Sequence, residues 1–187
     1  YSRIVEMLEY YAVDRPPLKF SVYRKLVLSG DANLINVVGD RKEKLIDIIA
    51  YCIMPTHMHL ILIQLKERGI SVFMRKILDS YTRYFNTKMN RRGPLWQGRF
   101  KSILVKTDEQ LLHLTRYIHL NPTSDGLVAN PLDWNYSSYR EYLSITDDPL
   151  CNYKPYLVIE PISYKTFVED RQDYQKRLSE IKHLLLE

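Results

Sequence analysis

Ile53-Met54-Pro55-Thr56-His57-Met58-His59-Leu60-Ile61-Leu62-Ile63 sets two histidines two residues apart at the head of an apolar run. A β-strand repeats every two residues, so His57 and His59 are predicted on one face, with Met58, Leu60 and Leu62 on the other. Two imidazoles on one strand face suit a single divalent ion. Two packed, hydrogen-bonded histidines explain the same pattern. The preceding run, Leu45 to Met54, also reads as a strand, and Pro55-Thr56 breaks the two apart. The expectation is a tight strand pair, apolar on both faces and therefore covered, with a histidine pair at its turn.

The rest of the composition is that of a globular protein. The 187 residues are 45% hydrophobic and 26% charged, enough chain for a core without staples. Cys52 and Cys151 do not make a disulfide framework, and Cys52 reads as a small core residue. No apolar run approaches the roughly 18 residues of a membrane span, and nothing resembles a signal peptide, so a reducing cytoplasm is expected, with no membrane partner. The chain opens at Tyr1 rather than Met, which suggests a missing N-terminal piece.

The net charge of +5 is unevenly spread. Lys66 to Lys106 holds eleven Lys or Arg against Glu67 and Asp79, so this segment nets +9 and the remainder −4. Tyr81, Tyr84, Phe85, Trp96 and Phe100 lie within it. Cations interleaved with aromatics read as a nucleic-acid surface, and a solvated helix face is the plain alternative.

Ile4, Val5, Leu8 and Tyr11 have helical spacing, stopped by Arg15-Pro16-Pro17. Leu18 to Val38 reads as short strand or insertion. Ser71 is the expected N-cap of a helix to about Met89. Ile103-Leu104-Val105 reads as a further strand. Thr107 and Gln110 form a capping box, with Asp108 and Glu109 suited to the helix dipole. That helix is predicted to end near Leu120, because Pro122 follows and leaves Asn121 near the C-cap. Leu111, Leu114 and Ile118 form its core stripe, and His113, Tyr117 and Asn121 a polar stripe beside it. Trp134 to Leu143 is aromatic-rich, with Trp134, Tyr136 and Tyr139 read as structural. Ser144 to Pro161 looks irregular. Tyr164 to Leu186 ends in an amphipathic helix carrying Tyr174, Leu178, Ile181 and Leu185.

Five blocks in order, M-P-T-H-M-H-L-I-L, Y-T-R-Y-F-N, L-W-Q-G-R-F-K-S, R-Y-I-H-L-N-P and W-N-Y-S-S-Y, resemble the single-tyrosine HUH transposases, most of all the branch related to REP-associated tyrosine transposases. The match covers most of Tyr1 to Tyr142. The resemblance implies an α+β fold: a ferredoxin-like core with an antiparallel sheet and helices on one face. Residues 1–145 would form the transposase domain and 146–187 a C-terminal helical extension. Members usually have a strand before the first helix. Its absence here points again to a truncated sequence, since a missing central strand leaves a sheet edge open.

The resemblance also implies an activity. Single-stranded, often hairpin-forming, DNA is cut and rejoined through a covalent tyrosine–DNA intermediate. A phenol suits this because it is both nucleophile and leaving group, so the linkage reverses without ATP. R-Y-I-H-L-N-P matches the helix of the catalytic tyrosine, which makes Tyr117 the nucleophile, with Tyr81 and Tyr84 as rivals. Tyr81 falls on a core stripe, whereas Tyr84 would line the DNA path. His57 and His59 become metal ligands. Asn121, one turn beyond Tyr117 where the family carries Gln or Asn, becomes the third. The ion would be Mg²⁺ or Mn²⁺, acting as Lewis acid on the phosphate. Imidazole favours transition metals, so Mn²⁺ suits the histidines better. His113 and His119 read as structural or DNA-facing. Arg75, Arg83, Arg91, Arg92, Arg99 and Lys101 are candidates for phosphate contacts. Trp96 either stacks on a base, worth about 1–3 kcal/mol, or anchors a loop.

Two other classes stay open. A domesticated, non-catalytic single-stranded-DNA-binding protein would keep the basic surface alone. A metal-dependent hydrolase would use the histidines without a covalent adduct. The family includes sites built within one chain and sites built across a homodimer.

Overall fold

The computed structural model describes residues 1–14, 16, 18–30 and 43–173. The fold is α+β. Helix α1 is Ser2–Tyr11 and α2 is Phe20–Ser29. Strands β1, Ile46–Ile53, and β2, Met58–Gln64, pair antiparallel. Helix α3 is Gly69–Lys88 and α4 is Asp108–Ser124. A 3-10 turn at Pro131–Asp133 precedes α5, Tyr139–Tyr142, and α6, Pro161–Glu169. Among the described residues the sheet has these two strands only, so no further strand is seen for the ferredoxin-like sheet that the resemblance implies.

The chain forms two compact units. Tyr1, Ile48–Leu62 and the described residues from Ile103 onward make the first. The described parts of Ser2–Asp47 and Ile63–Ser102 make the second.

In the first unit the hairpin closes over Pro55-Thr56, with the Met54 N–H donating to the His57 carbonyl at 2.8 Å. Every residue of β1 is buried, as its unbroken apolar run requires. Its outer edge does not stay open. Cys52 bridges antiparallel to Ser137. The Ile53 N–H donates to Tyr136, the Ser138 N–H to Tyr51, and the Asn152 N–H to Ile48. Residues 136–138 thus satisfy the strand edge that would otherwise invite pairing. Tyr142, Tyr153 and Tyr164 cluster beneath it, the first two stacked at 4.0 Å between centroids. Cys52 and Cys151 are both free and buried. Trp134 donates to the Ile53 carbonyl at 3.1 Å, and Tyr139 is buried, so both are structural as expected. Tyr136 rests against Tyr1 and Trp134.

In the second unit α1 packs on α3, burying Ile4, Met7 and Leu8 from one and Phe73, Met74 and Ile77 from the other. An ion pair between Glu6 and Arg24, at 2.6 Å, ties α1 to α2.

Five sequence expectations need correction or limits. Residues 20–29 of the unassigned stretch Leu18 to Val38 are helical, and the part from 31 to 38 lies outside the described residues. Helix α3 starts at Gly69, not after Ser71, with Arg68 at the N-cap in a left-handed conformation (φ 58). Gly69 permits this start. A Cβ there would stand 2.3 Å from the Leu45 carbonyl oxygen, so the backbone approaches at a distance only glycine allows. Ile103-Leu104-Val105 forms no strand, and Ile103 and Leu104 are 88% and 77% exposed.

Pro122 does not end α4, which runs through it to Ser124. Proline removes the backbone donor that would reach the carbonyl four residues earlier, while side chains reinforce this last turn at other carbonyls. Asn121 Nδ2 donates to Tyr117, and the Thr123 and Ser124 hydroxyls both donate to Leu120. Asn121 therefore lies inside the helix, not at its cap. The cap at the other end is as expected: the Gln110 N–H donates to Thr107 Oγ1 at 3.1 Å. The Gln110 amide reaches back to the Lys106 N–H, one residue earlier than the usual box. Finally, α6 starts at Pro161, and the expected stripe of Tyr174, Leu178, Ile181 and Leu185 lies outside the described residues.

Candidate active site

The first unit brings together three of the predicted site residues. The hairpin turn presents His57, and the next same-face position of β2 presents His59. Their rings meet edge to face at 4.7 Å, and their Nε2 atoms stand 3.0 Å apart. Helix α4 brings the Tyr117 ring to 5.8 Å from His59, again edge to face. Tyr117 is 41% exposed, so the phenol is reachable by a large substrate.

The electrostatics suit metal ligation. His59 is half-buried, and burial together with its neighbour His57 lowers its pKa to about 4, against a smaller upward pull from Asp125. It is therefore neutral at physiological pH, the form in which imidazole donates its lone pair. The His57 Nδ1 lies 3.1 Å from Thr56 Oγ1. A partner on one ring nitrogen fixes orientation and leaves the other to coordinate.

The spacing of the two imidazole nitrogens fits a divalent ion. Two nitrogens about 2.1 Å from one ion, at a right angle, stand about 3.0 Å apart. The 3.0 Å between the Nε2 atoms matches that bite. No group of three or more His, Cys, Asp or Glu suited to a metal occurs among the described residues. Asn121, the third ligand that the resemblance implies, is buried on the same helix as Tyr117. It lies one helical turn beyond Tyr117. Its Nδ2 is engaged with the Tyr117 carbonyl at 2.8 Å, so Oδ1 is the atom it has to offer.

His119 does not join this group. It is fully buried, with Nδ1 2.8 Å from the Tyr164 hydroxyl and Nε2 2.8 Å from Ser138 Oγ. Burial alone lowers its pKa to about 3. His113 is exposed, 2.8 Å from an Arg116 nitrogen. The Arg116 guanidinium also lies 4.0 Å from the Phe167 ring, which helps dock α6 on α4.

Sequence reasoning overlooked two neighbours of the site. Thr56 precedes His57 directly, and its hydroxyl was readable as an orienting group. Asp125 stands four residues beyond Asn121 and would have fallen in line with it had α4 been carried through Pro122.

Residues 20–121, more than half of the chain, match the family model described as Transposase IS200 like. The chain belongs to the IS200-like transposase family. A Haemophilus influenzae protein provisionally named a REP-associated tyrosine transposase is 34% identical over 103 residues, which is 49% of this chain and 58% of the relative. The REP-associated tyrosine transposase of Escherichia coli is 25% identical over 105 residues, 56% of this chain and 61% of the relative. The chain thus spans about three-fifths of the length of the curated relatives it matches. No solved structure matches it significantly.

The predicted DNA-facing residues of this IS200-like chain all belong to the second unit. Arg75, Arg83, Arg92, Arg99 and Lys101 are exposed and form no ion pair among the described residues. Three candidates have other engagements. Arg91 donates to the Pro94 carbonyl at 3.0 Å. Tyr84 lies between the cations of Arg3, at 4.0 Å, and Lys88, at 5.8 Å. Trp96 donates to the Leu78 carbonyl at 3.2 Å and rests on Tyr81, which anchors its loop to α3. No described helix is long and apolar enough to cross a membrane.

Proposed function

We propose that this chain is a DNA transposase that cleaves and rejoins single-stranded, hairpin-forming DNA through Tyr117. The observation that carries the reading is the approach of the Tyr117 ring to the His57/His59 pair, 5.8 Å from His59. Family membership supports it. The Tyr117 oxygen attacks the scissile phosphorus. A phosphotyrosine bond forms at the 5′ side, the bond to the 3′ oxygen breaks, and that oxygen leaves as a 3′-hydroxyl. A second 3′-hydroxyl then attacks the same phosphorus and releases the phenol.

His57, His59 and the Asn121 amide oxygen would hold a divalent ion, Mn²⁺ or Mg²⁺, which supplies Lewis-acid polarisation of the phosphate when bound. Thr56 orients His57. The exposed Arg75, Arg83, Arg92, Arg99 and Lys101 contact the DNA backbone, with Tyr84, Arg91 and Trp96 as further contacts of the same surface. Residues 1–145 carry the activity and 146–187 extend it. The partner is DNA, bound in the cytoplasm. The 3.0 Å between the imidazole nitrogens supports a shared ligand.

The test is an adduct assay. The full-length protein is incubated with labelled hairpin oligonucleotides from the genomic flanks of its gene, with Mn²⁺, Mg²⁺ or EDTA, and run on a denaturing gel. A metal-dependent protein–DNA band is expected, absent in Tyr117→Phe. Nicking without an adduct would replace this reading with a metal-dependent hydrolase. Binding without nicking would replace it with a non-catalytic DNA-binding protein.

A further inference from the structure

We propose that His119 is the positioning residue of this site: a one-way chain of buried hydrogen bonds through it sets the rotation of α4, and so the direction in which Tyr117 and Asn121 face. The inference rests on the reading of Tyr117 and Asn121 given above.

The direction of the chain follows from counting protons. A hydroxyl has one proton to donate. Thr115 gives its proton to the Leu112 carbonyl, at 2.8 Å. Thr115 Oγ1 therefore accepts from the Tyr164 hydroxyl, at 2.9 Å. With that proton committed, the Tyr164 oxygen accepts from His119 Nδ1, at 2.8 Å. The rings around His119 are those of Tyr139, Tyr142 and Tyr164, and no carboxylate is among its hydrogen-bond partners to support a second proton. Nε2 is then the acceptor, and Ser138 Oγ donates to it at 2.8 Å. That contact is shorter than the 3.2 Å from Ser138 Oγ to the Tyr51 carbonyl. Ser138 Oγ in turn accepts from the Tyr51 N–H, at 3.0 Å. The chain runs from the backbone of β1 to the backbone of α4, and each link polarises the next.

The geometry gives this chain its consequence. Thr115 and His119 lie one turn apart, so α4 is held at two points on one face. Tyr117 and Asn121 flank His119 by two residues each, about 160–200° around the helix. Apolar packing has no preferred direction, whereas hydrogen bonds weaken steeply off axis. The buried face therefore fixes an angle that apolar contacts alone leave soft. A rotation of about 20° would carry a side-chain tip at about 6 Å from the helix axis through roughly 2 Å. A misplacement of about 1 Å can cost about a hundredfold in rate. Tyr164 belongs to α6, so the segment after residue 160 takes part in setting the nucleophile.

The full-length chain is tested with Mn²⁺ alone as the probe, below the melting temperature of each variant. Tyr164→Phe removes one hydroxyl and keeps the ring. His119→Phe cuts the chain on both sides, and His119→Gln restores one donor and one acceptor. Asn121→Ala is expected to weaken Mn²⁺ binding about tenfold or more. Tyr164→Phe and His119→Phe should each weaken it by a similar factor and add little to Asn121→Ala, as coupled groups do. His119→Gln should recover most of the affinity. Nitrogen NMR of the wild type should find the proton on Nδ1 of His119, and the ring contact of Tyr117 with His59 should be lost in Tyr164→Phe. Wild-type affinity with an intact ring contact in Tyr164→Phe, fully additive losses, or a proton on Nε2 would overturn the proposal. If His119→Phe does not fold, Tyr164→Phe decides. If Asn121→Ala binds Mn²⁺ normally, Asn121 is no ligand, and the ring contact alone then judges His119.

Discussion

The two faces of α4 use the same residue types to opposite ends. On one face Tyr117 is 41% exposed beside His59, whose neighbour His57 carries only a hydroxyl at its Nδ1. On the other, His119 and Tyr164 are sealed, and every polar atom of both has a partner. The difference lies in what a substrate can reach. A buried group with all its hydrogen bonds made has no capacity left for a substrate. On the open face the two Nε2 atoms meet each other at 3.0 Å with the Tyr117 ring at the rim, a contact that a bound ion can replace.

The largest test of that contrast removes the phenol from the open face. Tyr117→Phe should lower adduct formation by at least about 10⁴-fold, since it removes the phenol that stands against His59. Rapid-quench sampling of adduct on denaturing gels measures it. An adduct at near wild-type rate would move the chemistry to another tyrosine. The protein should stay as stable as the wild type, because Tyr117 is not part of the core.

Removing a ligand is the next largest change. His57→Ala should weaken Mn²⁺ binding by about a hundredfold, read by calorimetry. The same experiment on His113→Ala should leave affinity within about threefold, because His113 is engaged with Arg116, not with the pair. Equal losses in both would mean that the histidine pair is not the ligand set.

Acid distinguishes the faces again, now through stability. His119 has a folded-state pKa of about 3 and His59 about 4 in the metal-free protein, both lowered mainly by burial. An unfolded histidine titrates near about 6.5, so between those values the unfolded chain binds more protons than the folded one. The contribution of both groups is fully present above about pH 6.5 and is lost as pH falls towards 4 and then 3. Each adds up to about 1.4 kcal/mol per pH unit in its window. Urea melts at pH 7, 6, 5 and 4 should show the decline. His119→Gln should flatten it, because it removes one of the two groups whose burial opposes protonation.

Much of this contrast was legible in the sequence. Alternation placed His57 and His59 on one face, because a strand has period two whatever surrounds it. The Thr107–Gln110 box marked the start of α4 for an equally local reason. The end of α4 was not legible, because proline rules describe the backbone. They do not count the side chains of Asn121, Thr123 and Ser124 that take up its carbonyls. The strand expected at Ile103–Val105 failed in a related way: apolar β-branched residues suit a pleated surface, but pairing needs a partner edge. The partners of His119 were beyond reach, since Ser138 and Tyr164 lie 19 and 45 residues away.

The smallest expected effect is also the most discriminating within the buried face. Tyr139 and Tyr164 are both buried there, yet their hydroxyls differ. That of Tyr164 is linked to His119 and Thr115, while that of Tyr139 has no hydrogen-bond partner among the described residues. Burying a hydroxyl without a partner costs about 1–3 kcal/mol. Tyr139→Phe removes that cost and keeps the ring, so it should leave stability unchanged or raise it by up to about 1 kcal/mol. Tyr164→Phe orphans the His119 N–H and should lower stability by about 1–3 kcal/mol. Paired thermal melts at pH 7 measure both. If Tyr139→Phe is the more damaging of the two, hydrogen-bond commitment is not what separates one side of α4 from the other. The contrast would then have to rest on packing alone.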